Sequence, residues 1–128
     1  MAVTLNHTIV HATDKHASAA FLVDVLGLEQ PATFGPFVVV QVGDTSLDFA
    51  DDLASDGFQR MHYCFLVSEE EFDEIWERIR ENGSTFWADP GHRREGEINR
   101  NDGGRGLYWE DPDGHNLEII TVPYGGWS

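Results

Sequence analysis

Basic residues are scarce in this chain: 8 Lys and Arg stand against 23 Asp and Glu, a formal charge of −15 over 128 residues. A nucleic-acid surface needs clustered cations to displace phosphate counterions, so neither nucleic acid nor an anionic membrane is an expected partner. Cysteine is scarcer still. Cys64 stands alone, which leaves no internal disulfide and no Cys-rich zinc site. Inside the apolar run 61–67 it reads as a buried small hydrophobe rather than a nucleophile, because no neighbouring cation lowers its pKa. No apolar run reaches the ~20 residues of a membrane helix, and the first ten residues lack the basic region and apolar core of a secretion signal. A cytoplasmic protein is expected. What the chain does have is 41% apolar residues and four Trp, which suits one globular domain and argues against disorder despite the charge.

Leu5, His7, Ile9 and His11 alternate with Asn6, Thr8 and Val10, the pattern of a strand. Thr13-Asp14 then offers a helix cap, Ala17, Ala20, Phe21 and Val25 form a stripe, and Gly27 stops the helix. Residues 34–42 and 45–49 read as two strands joined by a Gly43-Asp44 turn, completing a βαββ run, and the polar stretch 51–59 reads as a linker. The second half carries stronger signals. Residues 61–67 read as a strand, and Ser68 with Glu71 forms a capping box. Phe72, Ile75, Trp76 and Ile79 follow at i, i+3, i+4 and i+7, one buried stripe that ends at Asn82-Gly83. A short strand over 85–88, a Gly/Arg/Asn-rich loop over 89–104, and strands over 107–110 and 116–121 flanking Asp111-Pro-Asp-Gly114 complete the chain.

The halves repeat each other. Aligning the first strands pairs His7 with His62 at an offset of 55, and aligning Leu47-Asp48-Phe49 with Leu117-Glu118-Ile119 gives an offset of 70. The difference of 15 is close to the length of the 89–104 loop, so the second copy carries an insertion.

His7, His62 and Glu118 each fall within an expected strand rather than a polar turn. A carboxylate flanked by Leu117 and Ile119 wants a metal, a cation or water, since an unpaired buried charge costs several kcal/mol. Two imidazoles and one carboxylate on a divalent metal would meet that need and leave coordination positions open. The plainer reading is that all three lie on the solvent face of half-buried strands.

Four segments stand out: Leu5-Asn-His7-Thr, Phe21-Leu-Val-Asp-Val-Leu-Gly-Leu28, Met61-His62-Tyr-Cys-Phe-Leu-Val67 and, most specific, Tyr108-Trp-Glu-Asp-Pro-Asp-Gly-His-Asn-Leu-Glu118. With them the chain resembles, over essentially its whole length, the vicinal oxygen chelate superfamily, the glyoxalase/bleomycin-resistance/dioxygenase proteins. The resemblance implies an α+β fold of paired βαβββ modules whose curved mixed sheet forms a cup, usually completed by a homodimer. It implies one domain over 1–128, with a first module over about 3–50 and a second over about 61–122. It also implies metal ligands at His7, His62 and Glu118 for Fe, Mn, Ni or Zn.

Asp48 takes the place in the first half that Glu118 holds in the second. It is a fourth ligand, a general base, or a solvent-facing member of the acidic run 48–52, the last being slightly favoured. Tyr108 matches a substrate-contacting Tyr of the fosfomycin branch, yet 119–128 has no Lys or Arg to hold a phosphonate. The 89–104 loop and Arg105 hold four of the eight basic residues, a lid that brings Arg or His92 to substrate or else a solvated loop with internal ion pairs. His92 and Asp48 are the first candidates for proton transfer. Trp87, Trp109, Tyr124 and Trp127 line a flat pocket or pack the core. Two functions follow: a metal enzyme acting on a small substrate with neighbouring oxygens, or a binder that sequesters an aromatic natural product without turnover.

Overall fold

The computed structural model describes residues 3–126, and Trp127 lies outside them. The described chain falls into two compact units that divide between Gln59 and Arg60. Each carries one helix and one four-stranded mixed sheet.

In the first unit, β1 (His7–His11) leads to α1 (Lys15–Leu26), then β2 (Ala32–Phe34), β3 (Phe37–Val42) and β4 (Thr45–Ala50). The sheet order is β1-β4-β3-β2, with β1 parallel to β4 and the other pairs antiparallel. Residues 34–42, expected as one strand, are two. Gly35 adopts φ 57°, a left-handed conformation that glycine takes at no steric cost, and with Pro36 it turns β2 back onto β3.

Asp14 caps α1, its carboxylate accepting from the amides of His16 and Ala17, and Gly27 closes it at φ 70°. The buried residues of α1 are Ser18, Ala19, Leu22, Val23 and Val25, so only Val25 of the expected stripe holds. This helix has small apolar residues on every side, and pattern alone does not single out its buried face. It packs on β3 and β4, where Val38, Val40, Leu47 and Phe49 are buried along with Val10 of β1.

The second unit repeats the plan. It runs β5 (His62–Leu66), α2 (Glu69–Glu81), β6 (Phe86–Trp87), β7 (Gly106–Glu110) and β8 (Asn116–Ile120), in sheet order β5-β8-β7-β6. The inferred duplication is therefore present in strand order. His7 pairs with Ser46 as His62 pairs with Asn116, so both 70-residue and 55-residue offsets appear in the ladders.

Both halves of the capping box form on Ser68 and Glu71, a device that stabilises a helix by about 1 kcal/mol. Phe72, Ile75 and Ile79 are buried, and Trp76 meets Phe72 and Phe86 edge to face. Leu107, Trp109, Leu117 and Ile119 fill the helix-side face of the sheet. Trp109 is core.

Candidate metal centre

Strand alternation sends Leu117 and Ile119 toward the core and leaves Asn116, Glu118 and Ile120 on the opposite face. Register then builds one transverse row: Cys64 beside Glu118, Glu118 beside Tyr108, and Tyr108 beside Trp87. His62 stands one step along β5 from Cys64, on the same face.

His62 and Glu118 come together. Nε2 of His62 lies 3.1 Å from Oε1 of Glu118, and Nδ1 lies 2.8 Å from the carbonyl oxygen of Asn116. A carbonyl only accepts, so Nδ1 carries the hydrogen and donates. In a neutral ring Nε2 then points a lone pair at a carboxylate oxygen, and that contact is satisfied by a second proton or by a cation held between the two. Two donors of this kind fit a divalent metal.

Among the described residues no three His, Cys, Asp or Glu side chains are grouped to hold a metal. His7, the third expected ligand, is exposed at the start of β1, with Nδ1 2.7 Å from Oδ1 of Asn6.

The Tyr108 ring stacks on His62 with centroids 5.9 Å apart, and burial together with the Glu118 carboxylate raises its phenol pKa. Cys64 corrects the sequence reading: it is exposed rather than buried. Its thiol is pushed up to about 12, first by desolvation and then by Glu118, so the expectation that it is not a nucleophile stands on that cause.

A cavity of about 680 Å³ in this unit is lined by His62, Cys64, Tyr108, Glu118 and Ile120 on the sheet, with Pro90, Asn99, Asn101, Asp102, Arg105, Val122 and Tyr124 around them.

Other expected site residues lie elsewhere. Asp48 is on β4 of the first unit, 8% exposed, accepting a hydrogen bond from Ser46 Oγ at 2.8 Å. It is buried, not solvent-facing. His92 does not line the cavity. Its ring stacks on Trp87 at 3.7 Å and 3°, and its Nε2 meets Oδ1 of Asn116 at 2.9 Å.

The 89–104 loop is fastened rather than a free lid. Asp89 accepts from the amides of Arg93 and Arg94, Gly96 donates to Phe86 O, and Asn99 Nδ2 donates to Ala88 O. Arg94 pairs with Glu97, and Arg105 with Glu69 and Asp73. Sequence reasoning missed Asn116, which carries the carbonyl that orients His62 and the amide that anchors His92; its only sequence signal is its place two residues before Glu118.

Known proteins share this fold. The family model described as the Glyoxalase/Bleomycin resistance protein/Dioxygenase superfamily matches residues 4–119. The glutathione transferase FosA of Serratia marcescens is 29% identical over 124 residues, spanning 93% of this chain and 81% of that protein. The solved structure of Oxidase ChaP-H1 has 67% sequence identity and a TM-score of 0.93, covering 98% of this chain and 100% of that one. FosX from Mesorhizobium loti, 18% identical at a TM-score of 0.71 over 98% and 97% of the two chains, shares the fold. With paired modules, the His62–Glu118 contact and a family match over nearly its whole length, the chain belongs to the glyoxalase/bleomycin resistance protein/dioxygenase superfamily.

Proposed function

We propose that the protein is a metal-dependent oxidase that binds one divalent ion through His62, Glu118 and His7 and acts on a small molecule with neighbouring oxygens. The observation that carries this reading is His62 itself. Its Nδ1–H is committed to the Asn116 carbonyl, and its Nε2 is turned toward the Glu118 carboxylate at 3.1 Å. The 67% identity to Oxidase ChaP-H1 supports oxidation over sequestration as the role.

A bound ion supplies Lewis acidity and a place for two substrate oxygens, and Fe or Mn adds redox chemistry. The chain's own residues do the rest. Asn116 and Glu118 set the orientation of the His62 ring. Tyr108, its phenol kept protonated by burial and by Glu118, is a hydroxyl donor beside the substrate oxygens rather than a base. Asp48 is proposed as the proton acceptor contributed by the first module, and the Ser46 hydroxyl holds its Oδ1.

Metal analysis of protein purified without chelator tests the reading. About one ion per chain is expected in the wild type, with at least a tenfold weaker affinity in His62→Ala and Glu118→Ala. Oxygen uptake with a dihydroxynaphthalene substrate should disappear in the same variants. Full occupancy in His62→Ala would remove it from the ligand set, and tight binding followed by recovery of unmodified compound would favour sequestration.

A further inference from the structure

Four side chains form the transverse row on the cavity face of the second sheet, and only three of them reach the cavity. Cys64, Glu118 and Tyr108 line it, whereas Trp87, paired with Tyr108 from β6, does not. Against the Trp87 indole lies the His92 imidazole, 3.7 Å away and within 3° of parallel. The same imidazole donates from Nε2 to Oδ1 of Asn116 at 2.9 Å. Trp87 stands on β6 and Asn116 on β8, two strand spacings or about 10 Å apart. Both side chains leave the sheet on the cavity face, so a ring that touches both stands over β7, within the span of Tyr108 and Glu110.

The loop is shaped to deliver that ring. His92 has φ 58°, a left-handed conformation that is unfavourable for a side chain and persists where its surroundings hold it. Its amide donates to Asp89 O at 3.2 Å. Nδ2 of Asn116 lies 3.5 Å from the carbonyl oxygen of Pro90, itself a lining residue, so the wedge and the cavity wall share one anchor.

We propose that His92 is a specificity-determining wedge that covers the Trp87 indole and so sets the width of the cavity. The inference rests on the reading of the cavity as the ligand site and adds the shape of ligand it admits. His92 then acts by shape rather than by proton transfer, its Nε2–H being committed to an amide oxygen.

A ligand with its oxygens at the His62–Glu118 end has room for further rings along β8, where the cavity continues past Ile120 to Val122. A ring attached beside the oxygens is directed across the sheet, over Tyr108 toward Trp87, and meets the imidazole. Without the imidazole the indole face is open to stacking by an aromatic ring. Glycine at position 92 suits the test, because it takes φ 58° at no steric cost and removes the ring without straining the loop.

The test compares two isomers of equal size on the full chain purified without chelator, titrated by calorimetry in the absence of oxygen. They are 4-phenylcatechol, whose second ring points away from the oxygens, and 3-phenylcatechol, whose second ring lies beside them. The wild type is expected to prefer 4-phenylcatechol by about tenfold or more. In His92→Gly the affinity for 3-phenylcatechol should rise about fivefold or more while that for 4-phenylcatechol stays within about twofold. Trp87→Leu placed on His92→Gly should abolish the gain. Acrylamide quenching of tryptophan fluorescence, read without ligand, should increase on His92→Gly in the wild-type background and not in the Trp87→Leu background. Equal wild-type affinities, no gain in His92→Gly, a gain that survives the loss of Trp87, or unchanged quenching overturns the inference. If 4-phenylcatechol still loses affinity in His62→Ala in that case, the cavity remains the ligand site. If neither isomer binds, or His62→Ala and Tyr108→Phe leave both affinities unchanged, the cavity reading fails and the inference falls with it.

Discussion

At the scale of single residues, two histidines of the second unit are held by opposite hydrogen-bond logic. His62 donates through Nδ1 to a carbonyl, which leaves Nε2 for a proton or a metal. His115, fully buried, accepts at Nδ1 from the Met61 amide at 2.9 Å, so its proton sits on Nε2 in the neutral ring. That bond fixes the backbone immediately before His62. Replacing His115 by Leu removes the acceptor and puts an apolar side chain in its place, and it leaves the Met61 N–H without that partner. A loss of about 2 kcal/mol in urea unfolding is expected, and a His115→Leu protein as stable as the wild type would show that water replaces the imidazole freely.

Cys64 marks the limit of sequence reading at this scale. An apolar run implies burial, but β5 is an edge strand in the order β5-β8-β7-β6, and the face away from α2 leaves Cys64 exposed. The sequence reads it as a poor nucleophile because no cation adjoins it there. The Glu118 carboxylate that raises its pKa arrives only through strand pairing.

At the scale of elements, legibility follows the strength of local chemistry. In the second half Ser68 and Glu71 mark the helix start, and Phe72, Ile75 and Ile79 mark its buried face without ambiguity. In the first half the Gly35-Pro36 turn hides inside the apolar stretch 34–42, and α1 offers small apolar residues on several faces, so the sheet was one strand short and the stripe misplaced. In the sequence, strand position and family resemblance name His62 and Glu118 as candidate ligands, and their adjacency comes only from the pairing of β5 with β8. The loop between β6 and β7 was read as lid or solvated loop, and Asp89 is what fastens it.

Oδ1 of Asp89 accepts from Arg93 N at 2.9 Å and Arg94 N at 2.8 Å. Desolvation opposes its charge, but the Arg94 and Arg93 amides win and its pKa is lowered. A carboxylate with a depressed folded pKa contributes stability above its unfolded value, near 3.9, and loses that contribution as pH falls through the folded value. Asp89→Asn should therefore lower the melting temperature at pH 7, with the gap to wild type closing below about pH 4. At neutral pH trypsin should cut faster after Arg93 or Arg94 in the variant. A gap that persists unchanged in acid would show that the carboxylate's charge is not what holds the loop.

At the scale of the whole molecule, acidity and exposed apolar surface pull in opposite directions. The described residues include no helix long and apolar enough to cross a membrane, yet Val3 and Leu5, which lead into β1, are 101% and 65% exposed, and Ile9, Met61 and Leu66 are 44%, 49% and 60% exposed. Both β1 and β5 are edge strands of their sheets, so apolar side chains and unpaired strand edges coincide. A homodimer that covers these edges is the proposed state. Its chains each carry −15, so the association works against charge repulsion. The interface, being apolar, should then tighten as salt screens that repulsion, the reverse of an interface held by ion pairs. Sedimentation equilibrium is expected to give twice the 14.4 kDa chain mass, with a dissociation constant that falls between about 0.02 and about 0.2 M salt. Leu66→Lys should weaken the dimer about tenfold or more by placing a cation on the apolar edge. A chain that stays at 14.4 kDa at every salt and protein concentration would mean that these edges are covered by something other than a second copy.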